Sequence, residues 1–198
     1  MMRQTDPIPL RLLLATVLMA AVGLSGCRAQ QEEPLGESAR WGKIELSSTA
    51  FTEGQPIPKK YTGEGTDVSP PLSWSALPEG TKELALVCDD PDAPGRTWVH
   101  WLVYGIPASA TGLPEDFASS QRRERELVGV AEGQNSFGQT GYGGPMPPAG
   151  HGKHRYFFKL YALDSKLALE PGLDKQSLLA SIQGHVLGRG ELMGTYER

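Results

Sequence analysis

Five consecutive apolar residues, Leu84 to Cys88, lie between Lys82–Glu83 and Asp89–Asp90. A run this short cannot make a core helix, and without alternation it cannot lie half-buried on a one-sided sheet. It predicts a strand covered on both faces. A chain containing such a strand must supply other strands beside it and apolar layers above and below it. "RTWVHWLVYGIP" (Arg96 to Pro107) and "HRYFFKLYALD" (His154 to Asp164) are β-branched and aromatic and meet the first need. "KIELSS" (Lys43 to Ser48) alternates, with Ile44 and Leu46 on one face. Turns punctuate these runs at "SPPLSW", "LPEG" and "DPDAPG".

One helix is expected. Asp174 can cap "KQSLLASIQGHV", which brings Leu178, Ile182 and His185 to one face, with Gly188 and Gly190 as its stop and a short last strand in "ELMGTYE". Strands do not alternate with helices, so a Rossmann-type sheet is not expected. The reading is a mainly β, mostly antiparallel domain with a short helix near the C-terminus.

The N-terminus has a separate purpose. An apolar run from Leu12 to Leu24 follows Arg3 and Arg11. It is short for a membrane span and has the layout of a secretory signal peptide. It ends in "LSGC", which resembles a bacterial lipobox, so residues 1–26 are expected to be removed and Cys27 to carry palmitate-type acyl chains as the new N-terminus. Two or more chains anchor stably where one would not. Residues 27–42 then form a polar tether without apolar period, and residues 43–198 the folded domain. Arg28, rather than an aspartate, follows the cysteine, which points to an outer-membrane anchor facing the periplasm. With Cys27 lipidated, Cys88 has no disulfide partner in the chain and reads as a small buried hydrophobe.

The net charge of −4 and the lack of a basic stripe argue against nucleic acid as a partner. "QRRERE" (Gln121 to Glu126) reads as a solvated loop or edge. Chemistry gathers in two places. In "CDDPDAPGRTWVHW" a hairpin would return His100 beside the end of the first strand, where Asp90 or Asp92 could meet its imidazole and favour the charged form. In "GYGGPMPPAGHGKHRYFF" (Gly141 to Phe158), glycines allow close backbone approach and prolines stiffen the loop, which reads as a wall of N–H donors for an anion. His154 and Tyr156 share a strand face there, while Arg155 points the other way.

Together "SPPLSW", "DDPDAP", "HWLVYGIP", "GQNSFGQTGYGGPMPP", "HRYFFKLYALD" and "GHVLGRGELMGTYER" resemble the phosphatidylethanolamine-binding protein family, in its bacterial Raf-kinase-inhibitor-like branch. Met146 departs from the branch, which usually has cysteine there, and the lipobox departs from its many unanchored members. The resemblance implies a Greek-key fold of two antiparallel sheets and a small anion pocket. Carried over by position, that pocket takes in Asp90, Asp92, His100, Gly144, Pro148, His154 and Tyr156.

The function expected is a membrane-tethered binding module for a phosphate-bearing small molecule or lipid headgroup. A second reading is an inhibitor of an envelope peptidase or another protein partner. A metal-dependent hydrolase, with Asp90, Asp92, His100 and His154 around zinc, ranks last. The chain has no H-E-x-x-H, no G-x-S-x-G and no nucleophile beside the histidines, so neither catalysis nor a cofactor is expected. A monomer or homodimer is expected.

Overall fold

In the computed structural model, residues 41–120, 127 and 129–198 are described. The expected signal peptide, Cys27, nearly all of the expected tether and the "QRRERE" run lie outside the described residues. The apolar run Leu84 to Cys88 forms the body of β4 (Glu83–Asp90), buried at every position and central in its sheet. Its neighbours are β5 (Trp98–Pro107) and β8 (His154–Leu163), both antiparallel to it. Outward from β8 come β9 (Val186–Tyr196) and then β1 (Gly42–Lys43); outward from β5 comes β7 (Ala131–Glu132). A second sheet of three strands sets β3 (Leu72–Ser75) between β2 (Glu45–Ser47) and β6 (Gly112–Leu113).

Both faces of β4 are covered, as an unbroken apolar run requires. Leu84, Leu86 and Cys88 enter the core between the sheets, with Trp101, Phe158 and Leu160 from the large sheet and Leu46, Leu72 and Trp74 from the small one. Ala85 and Val87 face the other way, onto Leu178, Leu179 and Ile182 of helix α2 (Lys175–Ile182). A short helix, α1 (Phe117–Ser120), drives Phe117 into the first core. Each fully buried Leu, Ile or Phe contributes about 1.5–3 kcal/mol, so these two layers can hold the fold without a cross-link. Cys88 is free and buried, and its burial pushes the thiol pKa well up.

Asp174 caps α2 as expected, accepting from the Ser177 amide at 2.8 Å. The far end differs from expectation. The helix stops at Ile182, and Gly184, at φ +85°, turns the chain. His185 therefore lies beyond the helix, and β9 begins at Val186 and runs straight through Gly188 and Gly190. These glycines are not stop signals. They leave room for the N-terminal strand, since a Cβ on Gly188 would lie 2.7 Å from the Gly42 carbonyl and one on Gly190 2.8 Å from that of Ile44. There the chain leaves β1, parallel to β9, and enters β2, antiparallel to β3. Strand β1 opens at Gly42, the last residue assigned to the tether.

Candidate functional site

The site lies where β4 ends and β5 and β8 begin, on the face shared by Cys88 and Phe158. Alternation along β8 puts His154 and Tyr156 on that face, both buried, with Arg155 exposed between them. Alternation along β5 would not put His100 there. Trp101 and Val103 face the inter-sheet core and Leu102 and Tyr104 face α2, so an even-numbered His100 should also face α2. The register steps from Cys88↔Trp101 to Asp89↔Val99, leaving His100 as the extra residue of a β-bulge. A bulge re-aims a side chain, and this one turns His100 onto the site, its ring edge-on to Tyr156 at 5.0 Å.

A cavity of about 190 Å³ opens between these residues, lined by Asp90, Ala93, Pro94, Trp98, His100, Phe137, Met146, Pro147, Pro148, His154 and Tyr156. Its floor is polar and buried; its rim is apolar, with Phe137 and Met146 nearly half exposed. The Trp98 and Phe137 rings meet edge-to-face at 5.4 Å. Residues 135–141, which lead into the glycine-rich segment, are pinned by hydrogen bonds. Buried Asn135 accepts from the amides of Phe137 and Gln139 and donates to the Gly141 carbonyl. The Ser136 amide donates to the Val99 carbonyl, and the Val99 amide donates to the Ser136 hydroxyl.

The aspartates and histidines pair differently from expectation. Asp90 accepts from His154 Nδ1 at 2.6 Å and from the Asp92 amide at 2.8 Å. His154 Nε2 lies 2.7 Å from Nδ1 of His151, whose role the sequence reading missed although it stands three residues from His154. Neither aspartate holds His100. Its Nδ1 bonds the Gly143 carbonyl at 2.6 Å instead, because the loop backbone returns directly over the bulge. Burial then outweighs the pull of Asp90, Asp89 and Asp67 and lowers the His100 pKa, so the expected standing imidazolium is replaced by a ring that favours neutrality.

Asp92 does not line the cavity. Its carboxylate takes the Arg155 guanidinium in a two-pronged pair at 2.8 Å and 2.8 Å, which holds its pKa below the usual range. Gly144 is not in the lining either. Its amide donates to Asp67 Oδ1 at 2.7 Å, and a Cβ there would lie 2.5 Å from the Tyr61 carbonyl. The amides of Gly141 and Gly143 likewise donate to the carbonyls of Gly133 and His100. At these glycines the loop is not the outward wall of donors expected of it: its N–H groups are consumed within the fold, as buried backbone donors must be. The glycines are there for close packing. Pro148 does line the cavity.

The floor includes a phenol with no partner among the described residues. The Tyr156 hydroxyl is buried and makes no hydrogen bond, while burial and then the charge of Asp90 raise its pKa. Among the described residues no group of three or more metal-ligating side chains stands together.

These features define a two-sheet β protein with a small, polar-floored, apolar-rimmed cavity at one end of its central strands. The chain belongs to the phosphatidylethanolamine-binding protein family, whose model matches residues 47–197. It is 47% identical over 155 residues to a UPF0098 protein of Methanothermobacter thermautotrophicus, spanning 78% of this chain and 99% of that one. To a UPF0098 protein of Aquifex aeolicus it is 44% identical over 162 residues, 81% of this chain and 92% of the relative. Among solved structures, a putative phosphatidylethanolamine-binding protein homolog from Chlamydia trachomatis matches with TM-score 0.70 at 40% identity, over 79% of this chain and 98% of that one. E. coli YbcL, described as a member of the mammalian family, matches with TM-score 0.72 at 33% identity, over 79% and 99%.

Proposed function

We propose that this protein is a binding module, tethered to the cell envelope through a lipid on Cys27, whose cavity takes a phosphate-bearing small molecule or headgroup. The observation that carries the reading is the Tyr156 hydroxyl, buried in the cavity lining without a partner. Such a group costs about 1–3 kcal/mol unless something bonds it, and with its pKa raised it keeps its proton and asks for an acceptor. The rim of Trp98, Phe137 and Met146 suits an apolar group attached to that acceptor. The reading is of binding rather than covalent catalysis, in keeping with a lining phenol and a buried Cys88 thiol whose raised pKa values make both poor nucleophiles.

Mass spectrometry of small molecules retained through native purification, with calorimetric titration of phenyl phosphate at pH 6, tests the ligand. The expected outcome is a saturable site lost on Trp98→Ala. A protein that retains nothing and takes up no phenyl phosphate would refute the reading. For the tether, Cys27→Ser is expected to abolish membrane fractionation; a variant that still fractionates with membrane as a mature lipoprotein would refute it.

A further inference from the structure

The buried floor of the cavity offers few free polar atoms. Both oxygens of Asp90 are engaged, by His154 and the Asp92 amide. Both ring nitrogens of His154 are engaged, by Asp90 and His151. What remains is the Tyr156 hydroxyl and one nitrogen of His100. A carbonyl oxygen can only accept, so the 2.6 Å contact with Gly143 puts the proton of His100 on Nδ1. Nε2 has no partner among the described residues. A second proton would have to sit there, on a buried ring.

The groups that face this ring are Asp90 and Asp89 from β4, Asp67 from the loop before β3, Tyr156 and His154 from β8, and the Phe137 ring. Three carboxylates favour the second proton, but desolvation outweighs them. With the Nδ1 proton held by Gly143 and a second proton disfavoured by burial, the floor presents one donor, the phenol, and one acceptor, the Nε2 lone pair. Among the described residues, no lysine or arginine lines the cavity.

An oxyanion that only accepts would satisfy Tyr156 and press an oxygen against the His100 lone pair, beside the Asp90 carboxylate. A head that also carries an O–H would satisfy both. We propose that the site selects a phosphate monoester in its singly protonated form, with His100 Nε2 accepting the P–OH hydrogen bond and Tyr156 donating to a second phosphate oxygen. This rests on the phosphate reading above and deepens it: His100 becomes the residue that discriminates phosphate monoesters from sulfate esters and from diesters, which have no such proton.

Calorimetric titration of phenyl phosphate, phenyl sulfate and methyl phenyl phosphate at pH 5, 6.5 and 8 tests it. The second pKa of a phosphate monoester is about 6, so the protonated fraction, and with it the affinity for phenyl phosphate, is expected to fall roughly a hundredfold from pH 5 to 8. Phenyl sulfate and the diester should bind roughly tenfold to a hundredfold more weakly at pH 5 and stay flat across the range, as expected for the loss of one hydrogen bond to a charged group. Nitrogen-15 spectra of the free protein should show His100 unprotonated at Nε2 at pH 6.5, with that resonance moving on addition of phenyl phosphate. His100→Gln, whose amide both donates and accepts, should reduce the preference for phosphate over sulfate. Dihexanoyl phosphatidic acid carries the same P–OH on a lipid; the tighter of it and phenyl phosphate identifies a lipid or a soluble source. Phosphate and sulfate esters binding equally and weakening together as pH rises would assign the proton to the protein and overturn this inference while leaving the anion site standing. No binding of any oxyanion at any pH would overturn the phosphate reading and this one with it.

Discussion

Tyr156→Phe should make the free protein more stable and the bound complex weaker. The ring is 1% exposed and its hydroxyl has no hydrogen-bond partner. Burying such a group costs about 1–3 kcal/mol. Phenylalanine keeps the ring, and with it the edge contact to His100 at 5.0 Å, and removes only the oxygen. The void left behind is smaller than a methyl group and offsets part of the gain, so a net stabilisation of about 1 kcal/mol is expected. For a domain of this size that is a rise in Tm of roughly 2–4 °C. With phenyl phosphate the sign reverses. The variant loses a hydrogen bond to a charged group, about 1.5–3 kcal/mol, so Kd should rise roughly tenfold to a hundredfold. Thermal unfolding with and without the ester, beside calorimetry, reads both effects on one pair of proteins. A variant that melts several degrees lower without ligand would show that the hydroxyl has a partner in the free protein, and an unchanged Kd would show that it does not face the ligand. Either result refutes the reasoning.

Gly188→Ala should destabilise by about 1–3 kcal/mol in urea unfolding, because its Cβ would lie 2.6 Å from Pro78 Cγ and 2.7 Å from the Gly42 carbonyl; a neutral effect would mean that β1 does not lie against β9 in solution. In a Cys27→Ser background, Cys88 should resist thiol reagents when native and label fully when unfolded, and fast native labelling would displace β4 from the core. Arg155 lowers the Asp92 pKa, so the pair stabilises above the unfolded carboxyl value near 3.9 and that stabilisation is lost as pH falls through the lower folded value. Because Arg155 is half exposed, Arg155→Gln should cost at most about 1 kcal/mol at pH 7 and flatten the acid limb of stability; a larger loss would mean that the fork is part of the site. His151→Ala should release His154 Nε2 and move its nitrogen-15 resonance, and an unmoved resonance would show that the two imidazoles do not pair in solution.

Much of this fold is legible along the chain. Leu84 to Cys88 reads as a doubly covered strand because the run is too short for a core helix and shows no alternation, and alternation alone faced His154 and Tyr156 one way and Arg155 the other. The Asp174 cap was equally local, a side chain meeting an amide three residues on. The site's connections are another matter. Gly188 and Gly190 look like breakers until the N-terminal strand crosses them, a contact between distant parts of the chain. The glycines of the loop look like open donors until their amides meet Gly133, His100 and Asp67. His100 sits on the site face only through a bulge, and a one-residue register slip has no local signature because it is chosen by which strand lies alongside. Residue types and strand periods, which are local properties, were set by the sequence on its own. Which aspartate meets which imidazole, and whether that imidazole carries a charge, depended on distances across strands and on burial, and those exist only once the sheets have closed.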